Sequence, residues 1–199
     1  MIKKLSVKIV EYLIKSGAGN KDSKEEYVYG IELMIEKFIT YTVLLFLAIY
    51  FKLLISSTLF VVFFVLLRGY TGGYHANTYI GCLLGTISIY VACTQIIAPI
   101  MLHKETPIFM GLIIVVILIL KLSPINHPNL AMDSNEIMTS KKRVHMVLAI
   151  ETIYIFTGSI LGVNFVYIVY PFLGMVMCTI LLIIAKIIKQ EVKVYEEKY

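Results

Sequence analysis

The chain of 199 residues is 59% hydrophobic and only 16% charged, with a mean hydropathy of +0.85, whereas an ordinary soluble domain is about half apolar and about a quarter charged. Eighteen Lys and Arg against thirteen Asp and Glu leave a net charge of +5; the charges lie at the edges of long apolar runs, as in an integral membrane protein whose basic residues face the cytoplasm, and not as in a nucleic-acid binder. The same composition excludes a disordered chain, a coiled coil and, with only Cys82, Cys93 and Cys178, a disulfide scaffold.

The first residues are interrupted by Lys8, Glu11 and Lys15, so they lack the unbroken apolar core of a cleaved signal peptide and are read as part of the mature protein. Over residues 2–16, Lys4, Lys8, Glu11 and Lys15 alternate with Ile2, Leu5, Ile9, Tyr12 and Leu13 at helical spacing. This predicts an amphipathic helix lying on the membrane surface and stopped by Gly17. Ser23 and Glu26 stand at capping-box spacing, and Tyr27, Ile31, Met34, Ile35 and Phe38 form a second helical stripe.

From Phe38 to Leu67, thirty residues hold one charge, Lys52. A single helix of that length would be about 45 Å long against a hydrocarbon core of about 30 Å, while two legs would each be short, so length leaves open one span or a hairpin near Lys52–Ser57. Further spans are predicted at Tyr79–Leu102, Ile108–Leu122, Val144–Leu161 and Phe165–Ile188. They are joined by a loop at His103–Pro107, a polar loop from Ser123 to His145, and a tight connection at Gly162 and Asn164.

Charge placement decides the first region. A hairpin gives six spans and puts sixteen of the eighteen Lys and Arg on the cytoplasmic side, with only Lys52 and Lys104 opposite; a single span would divide them almost evenly and leave Lys52 in mid-bilayer. The predicted architecture is therefore an all-α integral membrane protein of six transmembrane helices, with both termini cytoplasmic. It forms a single membrane-embedded domain over 1–199, with amphipathic helices at 1–37, the bundle at 38–188 and a basic tail at 189–199 anchored to headgroups.

This topology puts the segment Arg68-Gly69-Tyr70-Thr71-Gly72-Gly73-Tyr74-His75-Ala76-Asn77-Thr78 at the cytoplasmic face, with Cys82 shortly after it. Its glycines and polar groups indicate irregular backbone, which at membrane depth is tolerated only where it is protein-buried or lines a wet cavity. His75 and Cys82 supply a base and a thiol nucleophile. On one continuous helix they would share a face but lie about 10.5 Å apart along the axis. We therefore expect the next helix to start near Asn77 or Thr78, with Gly72 and Gly73 folding His75 back over its first turns and Cys82 placed where the helix dipole favours a thiolate. One His and one Cys at this spacing match no usual zinc pattern, and no metal or other cofactor is expected. Glu151 is an acid deep inside a predicted span; orienting His75, pairing with Arg68 and a purely structural role are its three readings. Cys93 and Cys178 are read as packing residues, and Gln95 and Asn164 as helix-to-helix hydrogen-bond formers.

The run from Arg68 to Ala76, with Cys82 seven residues after His75, resembles the signature of the accessory gene regulator protein B (AgrB) family. The layout is similar as well, including the proline-bearing loop Ser123-Pro124-Ile125-Asn126-His127-Pro128, where the basic residue that often follows the family's Asn is absent. The resemblance implies a multi-pass cell-membrane cysteine endopeptidase of a Gram-positive bacterium, with Cys82 as nucleophile and His75 as base. Its partner would be a small AgrD-like precursor peptide at the cytoplasmic leaflet, cleaved near its C-terminus through a thioester and closed to a thiolactone or lactone quorum-sensing signal. Arg68 is then a candidate to bind precursor carboxylates or position the oxyanion, or else a headgroup anchor, and the backbone N–H groups around Gly81 and Cys82 are candidate oxyanion donors. A homodimer is the candidate assembly. The rival reading is a small transporter or peptide exporter in which the glycine-rich break forms a passage, though no inverted repeat supports it.

Overall fold

The computed structural model describes residues 2–21, 23–76, 78–102, 105–126 and 132–190, and among these every regular element is helical. The expectations for His103, Lys104, His127, Pro128 and most of the basic tail lie outside the described residues. The chain divides into two units, Met1–Tyr50 and Phe51–Tyr199.

In the first unit, α1 (Ile2–Lys15) packs on α2 (Lys24–Tyr50), burying Ser6 and Val10 and leaving its lysines in the open. Gly17, at φ 78, ends α1 as its sequence suggests: Ala18 N donates to Leu13 O and Gly17 N to Ile14 O, so two terminal carbonyls are satisfied by a left-handed turn. Lys24 Nζ donates to Glu11 Oε1 at 2.9 Å across the two helices. The hydrogen bond and charge of Lys24 hold the Glu11 carboxyl below its ordinary value. This support is therefore present at neutral pH and fades as pH falls through the lowered value, and in solvent it is small.

No helix end falls at Phe38. The second amphipathic stretch and the first apolar leg form one helix of 27 residues, because no Gly or Pro follows Gly30 before Tyr50. The break comes at Phe51-Lys52-Leu53, where Lys52 takes φ 56 and the chain restarts as α3 (Leu54–Thr71).

The second unit continues with α4 (Tyr79–Val91), which passes through a π-helical turn (Ala92–Ile97) into α5 (Ala98–Met101), then α6 (Glu105–Leu122), α7 (Ser134–Ile160) and α8 (Val166–Ile187). The span expected at Tyr79–Leu102 is present as Tyr79–Met101, with this wider turn inside it. Pro99 explains the wider turn: a proline cannot donate and crowds the carbonyl four residues earlier, and here Ala98 N reaches back to Cys93 O instead. Thr94 O accepts a bond from Tyr170 Oη of α8 at 3.4 Å. Tyr90 is buried edge-on against Phe60 and bonded to Ser57 Oγ at 2.6 Å, which ties α4 to α3. Gln95 bonds locally to Thr94, and Asn164 caps Val166 N at 3.1 Å, so neither links two helices as the sequence suggested.

The polar segment read as a loop to His145 is helical from Ser134 onward. Asp133 Oδ1 accepts from Glu136 N at 2.7 Å while Glu136 Oε2 accepts from Asp133 N at 3.0 Å, a reciprocal cap that starts α7 well before its apolar part. The connection at Gly162 is as expected: its φ is 67, and Val163 N closes on Gly158 O.

Five helices are long and apolar enough to cross a bilayer, namely α2, α3, Tyr79–Met101, α7 and α8, and α6 adds the shorter apolar stretch Ile108–Leu122. The protein is thus an all-α, multi-pass membrane protein. α8 is the axis of the second unit: 72% of its most apolar stretch is buried, against 33% or less in the others, and α3, α5, α6 and α7 all pack on it. Lipid is as apolar as Leu, so these helices are held by close approach and dispersion. At Gly174 a Cβ would stand 2.6 Å from Phe60 O and 3.1 Å from Phe64 N, so the α3 and α8 backbones touch there. Gly174→Ala is expected to cost about 1–3 kcal/mol, read as a lower midpoint of thermal unfolding in detergent. Gly85→Ala, with open space around it, should leave the midpoint unchanged or raise it slightly.

Candidate active site

α3 ends at Thr71 because the next two residues take conformations closed to side chains. Gly72 has φ 65 and ψ −148, and Gly73 has φ 125. A Cβ on Gly72 would lie 2.7 Å from Ile125 O, and one on Gly73 would collide with the Arg68 guanidinium. The stretch Gly72–Ala76 is non-helical, so its backbone polar groups need other partners. Arg68, one turn back on α3, donates from Nη1 to Gly72 O and from Nη2 to Tyr74 O at 2.5 Å. Tyr74 N donates to Leu181 O of α8 at 3.0 Å, and Ile125 N, from the loop after α6, donates to Thr71 O at 2.9 Å. His75 is held at both backbone groups by the Gln190 side chain, His75 N donating to Oε1 at 3.0 Å and Nε2 donating to His75 O at 2.7 Å.

The chain then enters α4 through Thr78, whose extended backbone and Oγ1, accepting from Gly81 N at 3.2 Å, make the N-cap. Of the two caps expected, Thr78 is used, and Asn77 lies outside the described residues. Cys82 N donates to Thr78 O at 3.0 Å, so Cys82 sits half-buried in the first turn, at the positive end of the helix dipole. Ala76 Cβ lies 3.3 Å from the place a Cβ of Gly81 would occupy, so the residue after His75 packs against the first turn of α4, the turn that carries Cys82. One continuous helix through both residues, the arrangement that would hold them apart, does not occur.

Half-buried Arg68 also lies within Coulombic range of the Cys82 and Cys178 sulfurs. Its fork is engaged by the loop carbonyls, so here it supports the site's backbone rather than reaching toward headgroups. Glu151 on α7 is 2% exposed, and neither carboxyl oxygen has a hydrogen-bond partner; it bonds neither His75 nor Arg68. Cys178 is fully buried on α8, but it is not mere filling: its Sγ is 3.2 Å from Thr71 Oγ1, beside the end of α3. The N–H groups of Gly81 and Cys82, read from sequence as oxyanion donors, are both engaged in the cap of α4. Among the described residues no three His, Cys, Asp or Glu side chains gather in a way that could hold a metal ion.

Sequence reasoning missed Leu181, Ile125 and Gln190. The first two act through backbone groups, which carry no residue-type signal, and Gln190 stands in a basic tail read as a lipid anchor. Gly72→Ala and Gly73→Ala should each lower stability by about 1–3 kcal/mol, measured by thermal unfolding in detergent. Gly69→Ala, with nothing within 4 Å, should not.

A family model described as accessory gene regulator B matches residues 6–188, a stretch that includes the whole segment from Arg68 to Cys82. No curated protein and no solved structure matches the chain.

Proposed function

The chain belongs to the accessory gene regulator B family and so takes part in the agr quorum-sensing system at the membrane, and from that premise we propose that it is a cysteine endopeptidase that cleaves a small AgrD-like precursor peptide and promotes its cyclisation. The supporting observation is that the Gly72–Ala76 segment, carrying His75, leaves the helix and that its last residue, Ala76, lies against Gly81 in the first turn of α4, the turn that carries Cys82.

In this reading His75 takes the Cys82 proton, and the thiolate attacks a backbone carbonyl near the precursor's C-terminus. The imidazolium returns the proton to the leaving amine as the C–N bond breaks, releasing the C-terminal tail and leaving the acyl group as a thioester on Cys82. A Cys or Ser side chain of the precursor, deprotonated by the same imidazole, then attacks the thioester carbonyl. Expulsion of Cys82 closes a thiolactone or lactone ring. Thioester exchange is nearly balanced, whereas attack by water would waste the acyl group, so a partly dry site favours closure. Arg68 holds the loop through the Gly72 and Tyr74 carbonyls and adds a positive charge to the surroundings of Cys82. Gly72 and Gly73 permit the fold-back, and Glu151 is a site-supporting residue near Cys178.

The same reading has six spans, both termini and the Arg68–Cys82 segment cytoplasmic, in the cell membrane of a Gram-positive bacterium, with a homodimer as the candidate assembly. A cysteine introduced at Lys52 should label with an impermeant reagent from outside intact cells, and one at Lys142 should not; the reverse pattern rejects the topology.

Cleavage is tested by co-expression with an AgrD-like precursor peptide, following precursor mass. Cys82→Ala and His75→Ala should each reduce cleavage by at least about 10³-fold while the protein still accumulates in the membrane. If both variants cleave normally the mechanism is wrong, and a peptide exporter would still move peptide with Cys82→Ala.

A further inference from the structure

We propose that Gln190 is a positioning residue for His75, its carboxamide clamping the His75 backbone so that the imidazole is aimed at Cys82. This rests on the reading of His75 and Cys82 as the reactive pair.

A carboxamide carries one acceptor and one donor group, the complement of a residue's N–H and C=O. Gln190 uses both on the same residue, at 3.0 and 2.7 Å, and so pairs with His75 as a neighbouring strand would, across 115 positions of sequence. The clamp is itself held in place. α8 ends at the C-cap Ile188, Lys189 turns the chain at φ 54, Gln190 N donates to Ala185 O at 2.9 Å and Lys189 N to Lys186 O at 3.2 Å. This is a closed left-handed helix end, and it gives the Gln190 side chain a fixed origin.

The clamp acts where the chain passes from the glycine pair to α4. His75 comes two residues after Gly73, whose residue type has the widest backbone freedom, and precedes the first residue of α4 by four positions. The fork of Arg68 and the Leu181 carbonyl fix the segment as far as Tyr74; beyond that, the Gln190 amide fixes both backbone groups of His75. Both bonds lie at an exposed position, where water would replace them at little cost to stability. Their consequence is therefore geometric, and in a proton transfer a displacement of about 1 Å is enough to slow the reaction substantially.

The full-length protein in phospholipid vesicles provides the test, with two readouts: cleavage of an AgrD-like precursor peptide, and the rate at which iodoacetamide alkylates Cys82 at pH 7, measured by mass on the Cys82-bearing fragment. Gln190→Ala should lower kcat by about tenfold with KM within about twofold. It should slow Cys82 alkylation in the same direction as His75→Ala and leave the thermal midpoint unchanged. Gln190→Glu keeps an acceptor for His75 N but sets a carboxylate against His75 O, and should be no better than Ala. Gln190→Asn keeps both groups on a shorter stem and should fall between Ala and the native residue. Should the Ala variant fail to fold, this Glu and Asn ordering decides the matter. Native kcat and alkylation in Gln190→Ala, with His75→Ala inactive, overturns the clamp alone; full activity in His75→Ala overturns the site reading and the clamp together.

Discussion

Backbone groups removed from water must find partners within the protein, and this requirement governs the break between α3 and α4. A helix satisfies itself; the stretch Gly72–Ala76 cannot. Its carbonyls at Gly72 and Tyr74 take the two arms of Arg68 and its Tyr74 N–H takes the Leu181 carbonyl, while the exposed His75, within reach of water, is paired with the Gln190 amide. The adjoining Thr71 carbonyl takes the amide of Ile125. Three distant parts of the chain, the end of α3, the loop after α6 and the C-terminal half of α8, therefore converge because one short segment is not helical. The proposed reactive pair, His75 and Cys82, lies on or beside that segment, so the geometry of the candidate site is a consequence of how the break is satisfied.

The helices can converge there because α8 is packed tightly enough to act as a fixed reference. Gly174 brings the backbones of α3 and α8 into contact, Gly111 gives Phe172 room against α6, and Gly158 admits Ile168. Small residues serve this purpose in lipid, where no hydrophobic drive holds helix to helix and dispersion over a close approach must do so. Tyr90 adds a directional tie, stacked edge-on to Phe60 and bonded to Ser57. Glu151 runs against the general satisfaction of polar groups, being buried on α7 with both oxygens unpartnered. Such a group costs of the order of 1–3 kcal/mol, and buried ionisable residues in membrane helices are functional candidates for that reason.

Legibility followed the range of the interactions. Gly17 and Gly162 were legible as helix stops because a left-handed turn is a local demand, and Thr78 as a cap because a hydroxyl three residues before Gly81 satisfies a local donor. The capping box at Asp133 and Glu136 was equally local, and it was overlooked because the surrounding residues are polar; α7 consequently starts inside a presumed loop. The continuity of α2 through Phe38 was hidden by a change in hydrophobic pattern that alters which side faces lipid without ending the helix. The π-helical turn before Pro99 answers to proline geometry together with Tyr170 on α8, so the residues of that span alone did not reveal it.

By itself the sequence determined the class of the protein, an all-helical membrane chain, because apolar runs of this length admit no other backbone that satisfies itself in lipid. It also determined where the helix must break, because two adjacent glycines at 72 and 73 are the residues that tolerate the conformations found there. Tertiary structure decided what fills the break. A guanidinium has several polar destinations, and only the folded chain directs that of Arg68 to the carbonyls of its own loop. A glutamine in a basic tail carries no address, and only the closed end of α8 brings Gln190 to His75. Hydrogen bonds between residues 115 positions apart leave no periodicity or spacing in the sequence, because their geometry comes into being only when the helices have packed.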